Sequence, residues 1–160
     1  MAITSACVTR LAHGLQSMGV KLAVAESCTG GAIAAACTSL AGSSAWFEGG
    51  VVSYSNAAKN SFLGVPEAVL SEFGAVSREV VETMASGAAN RFGCHATIAT
   101  SGVAGPGGGS VDKPVGTVWI ATSFGGEVIA KCYQFSGDRA AIQASTVEKS
   151  LETLLQRLTD

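Results

Sequence analysis

Ser27 stands in the run Glu26-Ser27-Cys28-Thr29-Gly30-Gly31, and the next apolar segment leads through Ser53, Tyr54, Ser55 and Asn56 to Lys59. A serine hydroxyl is a poor nucleophile until a neighbouring base takes its proton. Lysine fills that role only where burial or nearby positive charge brings its pKa from about 10.4 toward neutrality. If Asn56 caps a helix, Lys59 falls in the first turn, where the helix dipole disfavours an ammonium. A Ser-Lys pair able to attack a carbonyl is therefore one reading of these residues, with Tyr54 available to donate a hydrogen bond or relay a proton. The plainer reading makes Ser27 and Thr29 helix caps, Lys59 a solvated surface group and Tyr54 a packing residue. The two histidines offer less. His13 falls on the first helix, and His95 opens a strand, which sets it at the opposite sheet edge from Ser27 if the two strands run together. Cys28 as nucleophile is disfavoured, because a small cysteine beside a turn commonly points into the core.

Around the serine, the backbone N–H groups of Cys28, Thr29, Gly30 and Gly31 are candidates to hold an oxyanion or a phosphate, and the glycines admit a close ligand. A second glycine cluster, Ser101-Gly102-Val103-Ala104-Gly105-Pro106-Gly107-Gly108-Gly109-Ser110, follows a strand and precedes Lys113-Pro114-Val115-Gly116-Thr117. It is no nucleoside-triphosphate loop, since it lacks the lysine of that motif and leads into a strand. Its opening residues, Ser101 and Gly102, can face the same crevice as Ser27, although a plain surface loop fits the composition equally. Arg139, after Ser136, Gly137 and Asp138, is the side chain best suited to grip a phosphate with two parallel hydrogen bonds, unless it pairs with a surface carboxylate.

These groups need elements to position them. Met1–Val20 has Val8, Leu11, Ala12 and Leu15 at helical spacing, a pattern unlike a secretory leader. The spacing then predicts a strand over Lys21–Ala25, a helix from Ala32 to about Leu40, a strand over Gly50–Ser55, and helices over Asn56–Leu63, Pro66–Phe73 and Ser77–Phe92, the last capped by Ser77. Strands follow at Ala96–Ser101, Val115–Phe124 and Glu127–Phe135, with Gly125-Gly126 as a hairpin turn. A helix over Asp138–Leu158, with Val147, Leu151, Leu154 and Leu158 on one face, completes the pattern. Early strands separated by helices need crossovers and a late hairpin is antiparallel, so the elements imply an α/β fold with a mixed sheet covered on both faces. Ligands of such sheets sit beyond the carboxyl ends of the strands, where Ser27 falls.

Composition narrows the function. The chain has 160 residues, enough for one domain, and is 48% hydrophobic. A net charge of -2 with only 14% charged residues argues against a nucleic-acid partner. No stretch reaches the roughly 20 apolar residues of a membrane span. The five cysteines are scattered and never spaced C-x-x-C, which suggests neither a disulfide framework nor a zinc site and fits a cytoplasmic location.

Taken together, A-E-S-C-T-G-G at Ala25–Gly31, F-x-G-G-V-V-x-Y-S-N-x-x-K at Phe47–Lys59, G-A-V-S at Gly74–Ser77, S-G-V-A-G-P-G-G-G at Ser101–Gly109, K-P-V-G-T-V-W at Lys113–Trp119 and G-D-R at Gly137–Arg139 resemble the CinA carboxy-terminal domain family. The resemblance covers nearly all of residues 1–160, read as a single domain of this kind; some members carry a further amino-terminal domain. It implies a three-layer α/β/α sandwich with a mixed, mainly parallel sheet, usually as a homodimer. It also implies metal-free and cofactor-free hydrolysis of the carboxamide of nicotinamide mononucleotide to nicotinate mononucleotide and ammonia, a step of pyridine nucleotide salvage. In that likeness Ser27 is the nucleophile, Lys59 the base and Tyr54 the motif tyrosine. Cys28, Thr29, Gly30, Gly31, Ser101, Gly102 and Arg139 fall to substrate binding, with Arg139 near the phosphate. Ser101 stands where the family typically has threonine, which keeps the hydroxyl. Two other readings remain: a nucleotide- or protein-binding module without catalysis, and a Ser-Lys amidase for another carbonyl substrate.

Overall fold

The computed structural model describes residues 2–160; Met1, where the first expected helix opens, lies outside the described residues. The chain runs α1 (Ala2–Met18), β1 (Leu22–Glu26), α2 (Ala32–Thr38), a 3-10 turn (Ser43–Ala45), β2 (Phe47–Val52), α3 (Asn56–Leu63), α4 (Glu67–Phe73), α5 (Arg78–Phe92), β3 (Ala96–Gly102), β4 (Thr117–Phe124), β5 (Glu127–Gln134) and α6 (Arg139–Thr159). Every residue of β1 is buried, as a strand with small apolar side chains on both faces requires. It takes an inner place in the sheet order β2-β1-β3-β4-β5, parallel to both neighbours. β4 pairs antiparallel with β3 and with β5, so β4 alone runs against the other strands. The β4–β5 hairpin turns on Gly125 and Gly126, whose φ angles of 60 and 85° suit a two-residue turn with both central residues left-handed.

Alternation along the strands divides the core in two. Leu22, Val24 and Ile98 face α1, α2 and α6, where they meet Leu11, Leu15, Ile33, Leu151 and Leu154. Ala25, Ala99 and Ala121 face the opposite layer and meet Val80, Val81 and Met84 of α5 and Leu63 and Leu70 of α3 and α4. The result is the three-layer α/β/α sandwich with a mixed sheet expected from the sequence, and the stripe Val147, Leu151, Leu154 and Leu158 is buried throughout.

Three strand boundaries differ from expectation by two residues or more. β2 spans Phe47–Val52 instead of Gly50–Ser55. It begins early because the buried Trp46 already accepts a hydrogen bond from Leu22 N through its carbonyl at 2.8 Å. It ends early because Ser55, not Asn56, is the N-cap of α3, its Oγ accepting from Ala58 N at 3.0 Å. A residue turning to cap a helix cannot also extend a ladder. β4 starts at Thr117, two residues later than the pattern suggested, because Thr117 N donates to Pro114 O at 3.0 Å and closes a turn there.

Candidate active site

The parallel strands β1 and β2 end side by side, Glu26 opposite Val52. Ser53 N still donates to Glu26 O at 2.8 Å, and Ser27 N donates to Thr100 O of β3 at 3.1 Å. The segments after β1 and β2 therefore leave the sheet at one edge and bring Ser27 and Lys59 together. Lys59 Nζ lies 3.0 Å from Ser27 Oγ, and donates to the carbonyls of Ser53 and Tyr54 at 3.0 Å each. Ser27 Oγ is also 3.4 Å from the Tyr54 carbonyl oxygen. Lys59 is only 1% exposed, and among the described residues it enters no ion pair. Burial pushes its ammonium below the ordinary lysine range, with the Cys28 thiol group acting weakly in the opposite sense. A buried amine without a carboxylate, touching a hydroxyl, is the arrangement a general base needs.

The pair opens onto a cavity of about 210 Å³ lined by Ser27, Cys28, Tyr54, Lys59, Ala75, Val76, Ser101, Gly102, Ala104 and Arg139. Of the residues expected at the site, Ser27, Lys59, Tyr54, Cys28, Ser101, Gly102 and Arg139 are thus gathered in one place. Thr29, Gly30 and Gly31 do not line it. Thr29 Oγ1 is 2.9 Å from Thr100 Oγ1, Gly30 N donates to Ser27 O at 3.1 Å, and Gly31 is the N-cap of α2. Among the described residues the N–H groups of Cys28 and Thr29 donate to no other backbone group.

Several groups act differently from their simplest reading. The Tyr54 phenol does not face Ser27 or Lys59: its oxygen accepts from Arg139 Nη2 at 3.1 Å, while its backbone carbonyl positions the lysine. Arg139 Nη1 donates to Gly105 O at 2.6 Å, so Arg139 ties the glycine-rich loop to Tyr54 across the cavity mouth. A guanidinium has five N–H donors, which leaves three for a ligand. Ser101 Oγ donates to Ala75 O at 2.8 Å and anchors the loop before α5. Gly102 has to be glycine, because a Cβ there would lie 2.7 Å from Thr117 O on the adjacent strand. Burial pushes the Cys28 thiol up to about 11, so it is neutral at pH 7 and unsuited to attack as a thiolate.

Sequence reasoning passed over Glu26. It is buried, and its two carboxylate oxygens accept from Ile33 N at 2.8 Å and Ala34 N at 3.0 Å. The carboxylate thus fills the N-terminus of α2 and offsets the dipole there, so these N–H groups are not available to a ligand phosphate. An acidic residue six positions before a small-residue helix was the available signal. Ala75, Val76 and Ala104 also line the cavity without having been singled out, and each lies inside one of the recognised sequence blocks.

A three-layer α/β/α sandwich with a buried Ser-Lys pair at adjacent strand tips defines the class to which this chain is assigned. Residues 4–158 match the family model for the CinA C-terminal domain, and the chain belongs to that family. It is 53% identical to the nicotinamide-nucleotide amidohydrolase PncC of Pseudomonas putida, over 92% of both chains. It is 50% identical to the protein of the same name from Enterobacter agglomerans, over 89% of this chain and 87% of that one. The crystal structure of the competence/damage inducible protein CihA from Agrobacterium tumefaciens superposes with a TM-score of 0.94 at 41% identity, covering 99% of this chain and 96% of that chain.

Proposed function

We propose that this chain is a nicotinamide-nucleotide amidohydrolase, converting nicotinamide mononucleotide and water to nicotinate mononucleotide and ammonia by a Ser-Lys mechanism in pyridine nucleotide salvage. The observation that carries the mechanism is the 3.0 Å contact between the buried Lys59 Nζ and Ser27 Oγ. The names of the relatives support the substrate.

A neutral amine has two N–H bonds and one lone pair. The Ser53 and Tyr54 carbonyls accept the two N–H bonds, leaving the lone pair for the Ser27 proton. Ser27 Oγ attacks the carboxamide carbon as Lys59 takes that proton, and the N–H group of Cys28, which lines the cavity, is the available donor for the oxyanion. Lys59 then returns the proton to the leaving nitrogen, and the C–N bond breaks to release ammonia. Water, deprotonated by Lys59, attacks the acyl-enzyme ester, and the proton passes to Ser27 as the ester bond breaks. The pyridinium charge of the substrate makes its carbonyl more electrophilic.

The 210 Å³ cavity suits the ring and carboxamide. Beyond Arg139 and Ala104, which it shares with that cavity, lies a larger one of about 690 Å³ that also includes Pro106, Asp138, Ala140 and Gln143. In this reading it receives the ribosyl phosphate, with the N–H groups that Arg139 has to spare as its donors. No metal or cofactor takes part. Residues 1–160 act as one domain, a homodimer in the cytoplasm, a setting with which five unpaired cysteines agree.

Ammonia release from nicotinamide mononucleotide, nicotinamide, its riboside and the full dinucleotide tests the proposal. Turnover of the mononucleotide above the others is the expected result. Preference for a different amide would assign another amidase activity, and inertness toward all four would favour a binding module.

A further inference from the structure

The turn after Ser27 is anchored peptide by peptide. The Glu26–Ser27 peptide is held by Ser53 N and Thr100 O, the Ser27 carbonyl by Gly30 N, and the Thr29 carbonyl by Ala32 N. The Cys28–Thr29 peptide has one anchor among the described residues: Gln143 Nε2 of α6 donates to Cys28 O at 3.0 Å. In a planar trans peptide the carbonyl and the following N–H point in opposite directions. A bond that holds the Cys28 carbonyl toward α6 therefore also fixes the Thr29 N–H away from it. Without that bond nothing among the described residues holds this peptide plane, and the turn that carries Ser27 loses its hydrogen bond to α6.

We infer that Gln143 is a positioning residue, which holds the Cys28–Thr29 peptide and with it the turn that presents Ser27 and the Cys28 N–H to the cavity. Gln143 also lines the larger cavity. A substrate portion lying there touches the side chain that steadies the nucleophile turn, so distal binding is linked to the chemical step and not to affinity alone. The second point rests on the proposed reading of that cavity; the first does not. Gln143 is only partly buried, so its replacement does not threaten the core.

The test compares wild type with Gln143→Leu, which keeps the bulk and loses the donor, and with Gln143→Lys, which restores a donor. Two readouts are taken: kcat and KM for nicotinamide mononucleotide, and the rate at which a fluorophosphonate probe labels Ser27, which does not depend on the natural substrate. Gln143→Leu is expected to lower kcat and labelling together by roughly tenfold to a hundredfold, the scale of a misplaced donor or nucleophile, with KM little changed and partial recovery in Gln143→Lys. Unchanged labelling in Gln143→Leu, or a rise in KM alone, would overturn the inference. A wild type that labels at Ser27 yet leaves the mononucleotide intact would overturn the proposed substrate, while the labelling rates still decide the role of Gln143.

Discussion

An amine with two carbonyls and a hydroxyl at 3.0 Å, and no carboxylate, has its proton held only by neutral dipoles. Burial disfavours its charged form, which is why Lys59 can serve as a base where a solvated lysine could not. Activity should fall as pH drops through the depressed Lys59 pKa and reach its plateau below the range of a free lysine; a plateau delayed to about pH 10 or above would place the working base elsewhere. Lys59→Met and Lys59→Arg should each cost about 10²- to 10⁴-fold in kcat, since methionine has no lone pair and a guanidinium does not give up its proton. Stability carries the same signature. Because the folded pKa is the lower one, the unfolded chain binds more protons between that value and about 10.4, so stability rises with pH across this window. Urea unfolding at a series of pH values should show that contribution as the difference between the wild-type and Lys59→Met slopes, because the raised thiol pKa values of Cys28 and Cys37 oppose it in both proteins.

Elements decide whether such a pair can exist. β1 and β2 are parallel and end in register, so the segments beyond them share one sheet edge, and this much was legible from strand order and from the serine and lysine after two strand-like segments. The true end of β2 was not. Tyr54 and Ser55 look like strand residues, but the Ser55 cap withdraws them from the ladder and turns the Tyr54 carbonyl, instead of its phenol, toward Lys59. Likewise Gly30 and Gly31 read as ligand donors, whereas Gly30 N closes the turn on Ser27 O and Glu26 fills the helix end beyond. Contacts of this kind are single hydrogen bonds that satisfy one carbonyl, one N–H or one carboxylate, and they leave no periodic trace. Glu26→Ala should lower stability by about 3 kcal/mol in urea unfolding, the scale of two charge-assisted hydrogen bonds lost from a buried helix end. A change under about 0.5 kcal/mol would mean that these bonds add nothing to the folded state.

Across the whole molecule, the layers place two adjoining cavities at one sheet edge, the smaller over Ser27 and the larger beyond Arg139. A substrate made of an aromatic amide and a longer polar arm matches that division. Ala140→Trp, which reduces the larger cavity, should raise KM for nicotinamide mononucleotide by about tenfold or more, some 1.4 kcal/mol, and leave Ser27 labelling by the fluorophosphonate probe unchanged; an unaltered KM would remove the larger cavity from the binding path. Light scattering in solution should give twice the chain mass of 16.0 kDa if the homodimer forms, and the monomer mass would contradict it. The nucleophile itself is tested most directly by ammonia release from nicotinamide mononucleotide in Ser27→Ala, alongside a circular dichroism spectrum matching wild type. The account predicts a loss of at least about 10⁴-fold in a folded protein, and a rate close to wild type would contradict it.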